Sequence, residues 1–111
     1  MNAIRILRPP VFHILLALAA RERHGLGIAK AVDEATEGAV QLGPGTLYRS
    51  LKEMLRDGLV AETSPPSSET DPRRRYYRIT DAGREAARAE AARLARVVDV
   101  AREALAVPEG L

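Results

Sequence analysis

The stretch GPGTLYRSLKEMLRDG, residues 43–58, decides how the rest of the chain is read. Proline is tolerated in the first turn of a helix and glycine is a natural stop, so the segment predicts a helix from Gly43-Pro44 to Asp57, ended by Gly58. At 100° per residue, Leu47, Leu51, Met54 and Leu55 gather on one side. Gly45, Thr46, Arg49, Lys52, Glu53 and Arg56 occupy the other, with Tyr48 at the border. Such a helix has one face for a core and one polar face for reading something outside. Gly43-Pro44-Gly45-Thr46 is not a phosphate loop, because no Gly-Lys-Ser/Thr follows it.

Upstream, a first helix is expected from Pro9-Pro10, with Val11, Ile14, Leu15 and Leu18 recurring at i, i+3, i+4 and i+7. Phe12 and Leu16 lie on a second flank, so this helix should be buried on more than one side. After a break at His24-Gly25, where His24 reads as a turn residue, a second helix runs from Leu26 to Glu37. Ile28, Ala31, Val32 and Ala35 point inward and Gly38 stops it.

Downstream, Leu59–Thr63 and Arg74–Ile79 read as two short strands of a hairpin. Alternation puts Tyr77 and Ile79 on the core side and Tyr76 outside. The link Ser64–Arg73 holds Pro65, Pro66 and Pro72 and is long for a hairpin, so its tip is expected to be mobile. Thr80 is the expected cap of a last helix reaching Val107, without a full capping box because Gly83 occupies the third position. This helix would span roughly 40 Å, longer than so small a body needs. Ala87, Ala91, Leu94, Val98, Ala101 and Leu105 form a heptad seam suited to a second copy of the helix. The pairs Asp81–Arg84, Glu85–Arg88, Glu90–Arg93 and Asp99–Arg102 flank it.

Composition sets the outer bounds. With 111 residues, 46% of them apolar, the chain can build one small core, and a dimer partner would help it. There is no Cys and there are only two His, which argues against disulfides and metal sites; no cofactor is expected. No apolar run spans a membrane and Met1–Pro10 lacks the apolar stretch of a signal peptide, so the expected location is cytoplasmic. No paired-carboxylate cleft, Gly-x-Ser-x-Gly elbow or nucleophilic Cys suggests an enzyme. Net charge is only +2, but Arg73, Arg74, Arg75 and Arg78 place four positive charges in six residues without an acid among them. Fifteen of the 17 basic residues are Arg, which suits bidentate contact with phosphate or guanine.

Three helices followed by a hairpin is the winged helix-turn-helix order, in which the third helix enters the major groove and the hairpin follows the backbone. The expected fold is therefore mainly α with a small β-hairpin. Residues 1–79 form a winged helix-turn-helix domain for double-stranded DNA, and residues 80–107 form a C-terminal dimerisation helix. Base contacts fall to Thr46, Arg49, Ser50 and Lys52, and phosphate contacts to Arg73, Arg74, Arg75 and helix N-termini. Arg49 competes with a plain surface role, paired to Glu53 one turn on. For Tyr48, core packing and a phosphate contact both stay open. A basic-region zipper is excluded, since Pro72 and Gly83 do not suit one continuous helix.

The residues 43–48, Leu51 and Asp57-Gly58-Leu59-Val60 resemble the third-helix signature of PadR-family transcriptional regulators. Arg74-Arg75-Tyr76-Tyr77-Arg78-Ile79-Thr80-Asp81-Ala82-Gly83-Arg84 is similar to that family's wing strand and its entry into the last helix, and His24-Gly25 matches as well. The chain differs in carrying Leu26 where many relatives have Tyr, Gly43 for a common Ser and Arg75 for a frequent Lys. The resemblance implies a homodimer, usually a repressor on a near-palindromic operator, of the short subfamily that pairs through its C-terminal and N-terminal helices. Phe12 and Leu16 then join the seam as interface residues. Some members release DNA on binding a phenolic acid or a flat drug, so a small-molecule effector is an expected partner, although the lack of Trp argues against an aromatic sandwich. The competing function is a winged-helix protein–protein module without a DNA role.

Overall fold

The computed structural model describes residues 6–106 and Pro108, so the expectations for Met1–Arg5 and for a helix end at Val107 lie outside the described residues. Helix α1 (Pro9–Ala20) starts at its two prolines and buries Val11, Ile14, Leu15, Ala17 and Leu18. A two-residue strand β1 (Arg23–His24) leads into α2 (Gly25–Ala35), whose buried stripe includes Ile28 and Val32. Then come α3 (Pro44–Arg56), β2 (Val60–Thr63), β3 (Tyr76–Ile79) and α4 (Asp81–Leu105). Gly38 and Gly58 take φ of +82° and +74°, the left-handed geometry in which both preceding helices are closed off. Among the described residues no helix is long and apolar enough to cross a membrane.

The expected hairpin is the larger part of a three-stranded antiparallel sheet in the order β1-β3-β2. Strand β1 pairs Arg23 with Tyr77 and His24 with Tyr76, covering an edge of β3 that would otherwise be open. Two residues carry no alternation, which is why this strand has no sequence signal. Tyr77 is in the core and Tyr76 is half-buried, as their parity requires.

Ile14, Leu15, Leu18, Ile28, Leu47, Leu51 and Met54 form the tightest part of the core, where α1, α2 and α3 meet. Each contributes about 1.5–3 kcal/mol by leaving water, so the helix trio is held chiefly by these contacts. Leu59, Val60, Tyr77 and Ile79 extend that core under the sheet.

Thr80 caps α4 as expected, its hydroxyl accepting from Gly83 N at 3.0 Å while donating to the Gly58 carbonyl at 2.6 Å. Glycine replaces the capping-box glutamate because the backbone passes so close here. A Cβ on residue 83 would lie 2.1 Å from the Leu59 carbonyl oxygen. The first turns of α4 thus belong to the body, and Ala87 lies within the hydrophobic core. This corrects its assignment to the dimer seam, because contact with its own protomer already covers it. Glu90, expected as a surface ion-pair residue, is 3% exposed. It receives the Leu7 N–H at 3.4 Å and a two-pronged contact from Arg93 at 3.0 and 2.5 Å. Of the other expected pairs, Glu85–Arg88 and Asp99–Arg102 reach 4.0 Å, and Asp81–Arg84 is not among the ion pairs of the described residues.

Candidate nucleic-acid interface

The outward face of α3 carries Tyr48, Arg49 and Lys52 in solvent, with Thr46 half-buried beside them. Arg49 and Lys52 make no ion pair among the described residues. Glu53, the competing partner for Arg49, is held instead by Arg8 from the segment before α1. That leaves two cations of α3 with their donors open to an incoming acceptor.

Ser50 does not belong to this face. It is fully buried and its hydroxyl has no hydrogen-bond partner, so it cannot touch DNA. The signal was present in the spacing, since Leu47, Ser50, Leu51 and Met54 fall at i, i+3, i+4 and i+7 of one buried stripe. A small residue is accommodated on that stripe although it is polar.

Tyr48 is 48% exposed, and its ring leans over the start of α2. A Cβ on Gly25 would lie 2.6 Å from the Tyr48 hydroxyl oxygen, so the two helices approach through a glycine here. Between the α2 start, Tyr48 and the wing lies a groove of about 620 Å³, lined by Leu26, Tyr77 and Arg73 to Arg75 among others. His24 sits at its rim and does more than turn the chain. Its Nδ1 accepts the Gly27 N–H at 3.1 Å, capping α2, and its ring meets Tyr76 edge-on at 5.3 Å. Burial, followed by the nearby Arg74 guanidinium, lowers the His24 pKa below its ordinary value and favours the neutral form that the cap requires.

On the wing the arginines behave differently from those of α3. Arg73 contacts Asp71 at 3.3 Å, Arg74 contacts Glu69 at 3.3 Å and Arg75 contacts Glu62 at 3.2 Å. The charge run without an acid in sequence is thus met by three acids in space. Arg78 remains exposed with no ion pair among the described residues. The loop expected to be mobile is tied by its own bonds: Glu69 N to the Pro66 carbonyl at 3.0 Å, and Asp71 N to the Glu69 carboxylate at 2.9 Å. A hydrogen bond from the Tyr76 hydroxyl, then the Asp71 N–H and Arg74, hold the Glu69 carboxyl down at about 2. The same bond raises the Tyr76 phenol.

The expected interface positions divide as well. Leu16 on α1 is 46% exposed and Phe12 half-buried. On α4, Ala91, Val98 and Leu105 are exposed, and Leu94 and Ala101 are half-buried. Val97 and Val100 are also exposed, which widens the apolar stripe beyond the heptad seam.

Residues 14–89 match the model of the transcriptional regulator PadR-like family, a span that contains α2, α3, the whole wing and the start of α4. The chain belongs to the PadR-like family. It is a transcriptional regulator of a family that binds DNA. Its fold is similar to that of a transcriptional regulator from Clostridium thermocellum, at 21% identity and a TM-score of 0.73, covering 85% of this chain and 87% of that one. A PadR family transcription regulator from Clostridium difficile gives 24% identity and a TM-score of 0.73, with 86% and 97% covered. PcaV of Streptomyces coelicolor, in complex with its natural ligand, gives 24% identity and a TM-score of 0.70, covering 87% of this chain and 62% of PcaV. No curated protein matches the sequence.

Proposed function

We propose that this PadR-like regulator is a dimeric repressor that binds a palindromic operator in double-stranded DNA. Arg49 and Thr46 read base edges, Lys52 assists, and Tyr48 with the wing engages phosphate. The observation that carries this reading is the exposed pair Arg49 and Lys52 on α3, without an ion pair among the described residues and on the same helix as Tyr48, which lines the wing groove. A guanidinium in that position can address the O6 and N7 acceptors of guanine in the major groove. Phe12, Leu16, Ala91, Leu94, Val98, Ala101 and Leu105 form the surface for the second copy. An effector bound near that surface would release DNA by favouring a different spacing of the two recognition helices. PcaV, a fold relative, is a transcriptional regulator seen in complex with its natural ligand.

Selection from a pool of random duplexes tests the reading. Enrichment of a two-fold-related motif is expected; retention without any enriched sequence would move the protein–protein module to the front. Against the selected operator, Arg49→Ala should lose about 1–3 kcal/mol and relax the preference at one base step. Equal weakening on all sequences would remove Arg49 from base reading.

A further inference from the structure

The three wing ion pairs are not equivalent. Asp71 and Glu62 are 32% and 48% exposed in their side chains, and their arginines, Arg73 and Arg75, are 89% and 74% exposed. Exposed pairs of this kind are weak, so either arginine can change partner cheaply. Glu69 differs, at 6% exposure, with Arg74 at 41%. It also accepts from the Tyr76 hydroxyl at 2.5 Å and the Asp71 N–H at 2.9 Å, so it joins β3 to the loop tip. Asp71 holds Arg73 through two donors, Nε at 3.3 Å and one terminal nitrogen at 3.4 Å, the fork geometry that a phosphate also offers.

We propose that Asp71 and Glu62 are internal stand-ins for DNA phosphate, holding Arg73 and Arg75 in the free protein and yielding them to the duplex, while Glu69 keeps Arg74 and positions the wing loop. Each phosphate contact made by Arg73 or Arg75 then requires a carboxylate contact to be given up. The wing's affinity for DNA is a difference between two acceptors and not the full attraction of three arginines. Arg74 belongs to the loop's framework and leaves the backbone contacts to its neighbours. This rests on the DNA-binding reading above, with the wing along the backbone.

The test uses the full chain and a fluorescent mixed-sequence duplex of about 24 base pairs, titrated from about 50 to 200 mM salt, where phosphate contacts dominate. Glu62→Gln and Asp71→Asn keep an acceptor in place and remove the charge. Each should tighten binding about two- to fivefold, the range expected for releasing an exposed pair. Repeating them on Arg75→Ala and Arg73→Ala separates local competition from a general loss of negative charge. The gain should vanish in Glu62→Gln/Arg75→Ala and in Asp71→Asn/Arg73→Ala. Arg73→Ala and Arg75→Ala should each lower the salt slope by about one, whereas Arg74→Ala leaves it unchanged. Carboxylate neutralisation without effect, or a gain that persists in the alanine backgrounds, would overturn the stand-ins. A slope lowered equally by Arg74→Ala would overturn the positioning role. Wild-type protein that fails to bind the duplex even at the lowest salt would overturn the DNA reading itself, a result distinct from either.

Discussion

The two ends of α4 are one continuous helix in two different settings. Its first turns are built into the body: Gly83 lies against the Leu59 carbonyl, Ala87 is in the core and Glu90 is 3% exposed. Its last turns present Val97, Val98, Val100 and Leu105, with 51%, 44%, 64% and 72% of their surface open. Local composition would suggest the reverse, since Ala, Arg and Glu dominate the anchored end while three valines and a leucine lie at the open one. The difference is what lies opposite: α1 and the β2 lead at one end, solvent at the other. An unbroken helix transmits its anchored direction outward, so the angle at which the open end projects is set by the body.

The largest effect should come from breaking the anchored end. In Gly83→Ala the new methyl meets a backbone oxygen that cannot rotate away, and the loss should be about 3 kcal/mol or more, measured by urea unfolding. Glu90→Ala is next, because it strips Arg93 and the Leu7 N–H of their acceptor together. A melting midpoint lower by roughly 5–10 °C is expected, and Glu90→Gln should recover part of it by keeping an acceptor. At the open end, Val98→Asp and Leu105→Asp should leave unfolding of the isolated protomer within about 0.5 kcal/mol of wild type, compared at concentrations low enough for wild type to be dissociated. Sedimentation should show the same variants as monomers; a persistent dimer would place the interface elsewhere.

The smallest effect is expected from pH, and it should touch the body alone. His24 must be neutral to accept the Gly27 N–H, and its pKa is lowered from 6.5 by burial and by Arg74, with Glu69 acting the other way. A depressed folded value means this stability is present above pH 6.5 and is lost as pH falls through the folded value. The melting midpoint should therefore decline as pH falls below about 6.5, and His24→Asn, which can cap without titrating, should flatten that slope. Dimer association through valines and leucines should not follow it.

Much of this was legible in the chain. Proline starts at Pro9 and Pro44, glycine stops at Gly38 and Gly58, the threonine cap at Thr80 and the parity of Tyr76 and Tyr77 all act through neighbours one to four residues away. The element order then leads to the winged helix. Strand β1 was not legible, because a two-residue strand exists only through its partners on β3. Ser50 was misplaced because its polarity outweighed its position on the buried stripe.

Periodicity and backbone chemistry are local, so the amino-acid order alone settles where helices begin, which way they face and that α3 has a polar side. Pairing of charges is only partly local. The run Arg73–Arg78 has no acid within it, yet Glu62 lies across the sheet and Glu69 and Asp71 fold back from the loop. Glu53 pairs with Arg8, 45 residues away, and leaves Arg49 open. Coulomb attraction depends on distance in space, and it is the folded chain that brings Glu62 to Arg75 and Glu53 to Arg8. Which cations remain available to DNA is therefore decided by the tertiary structure.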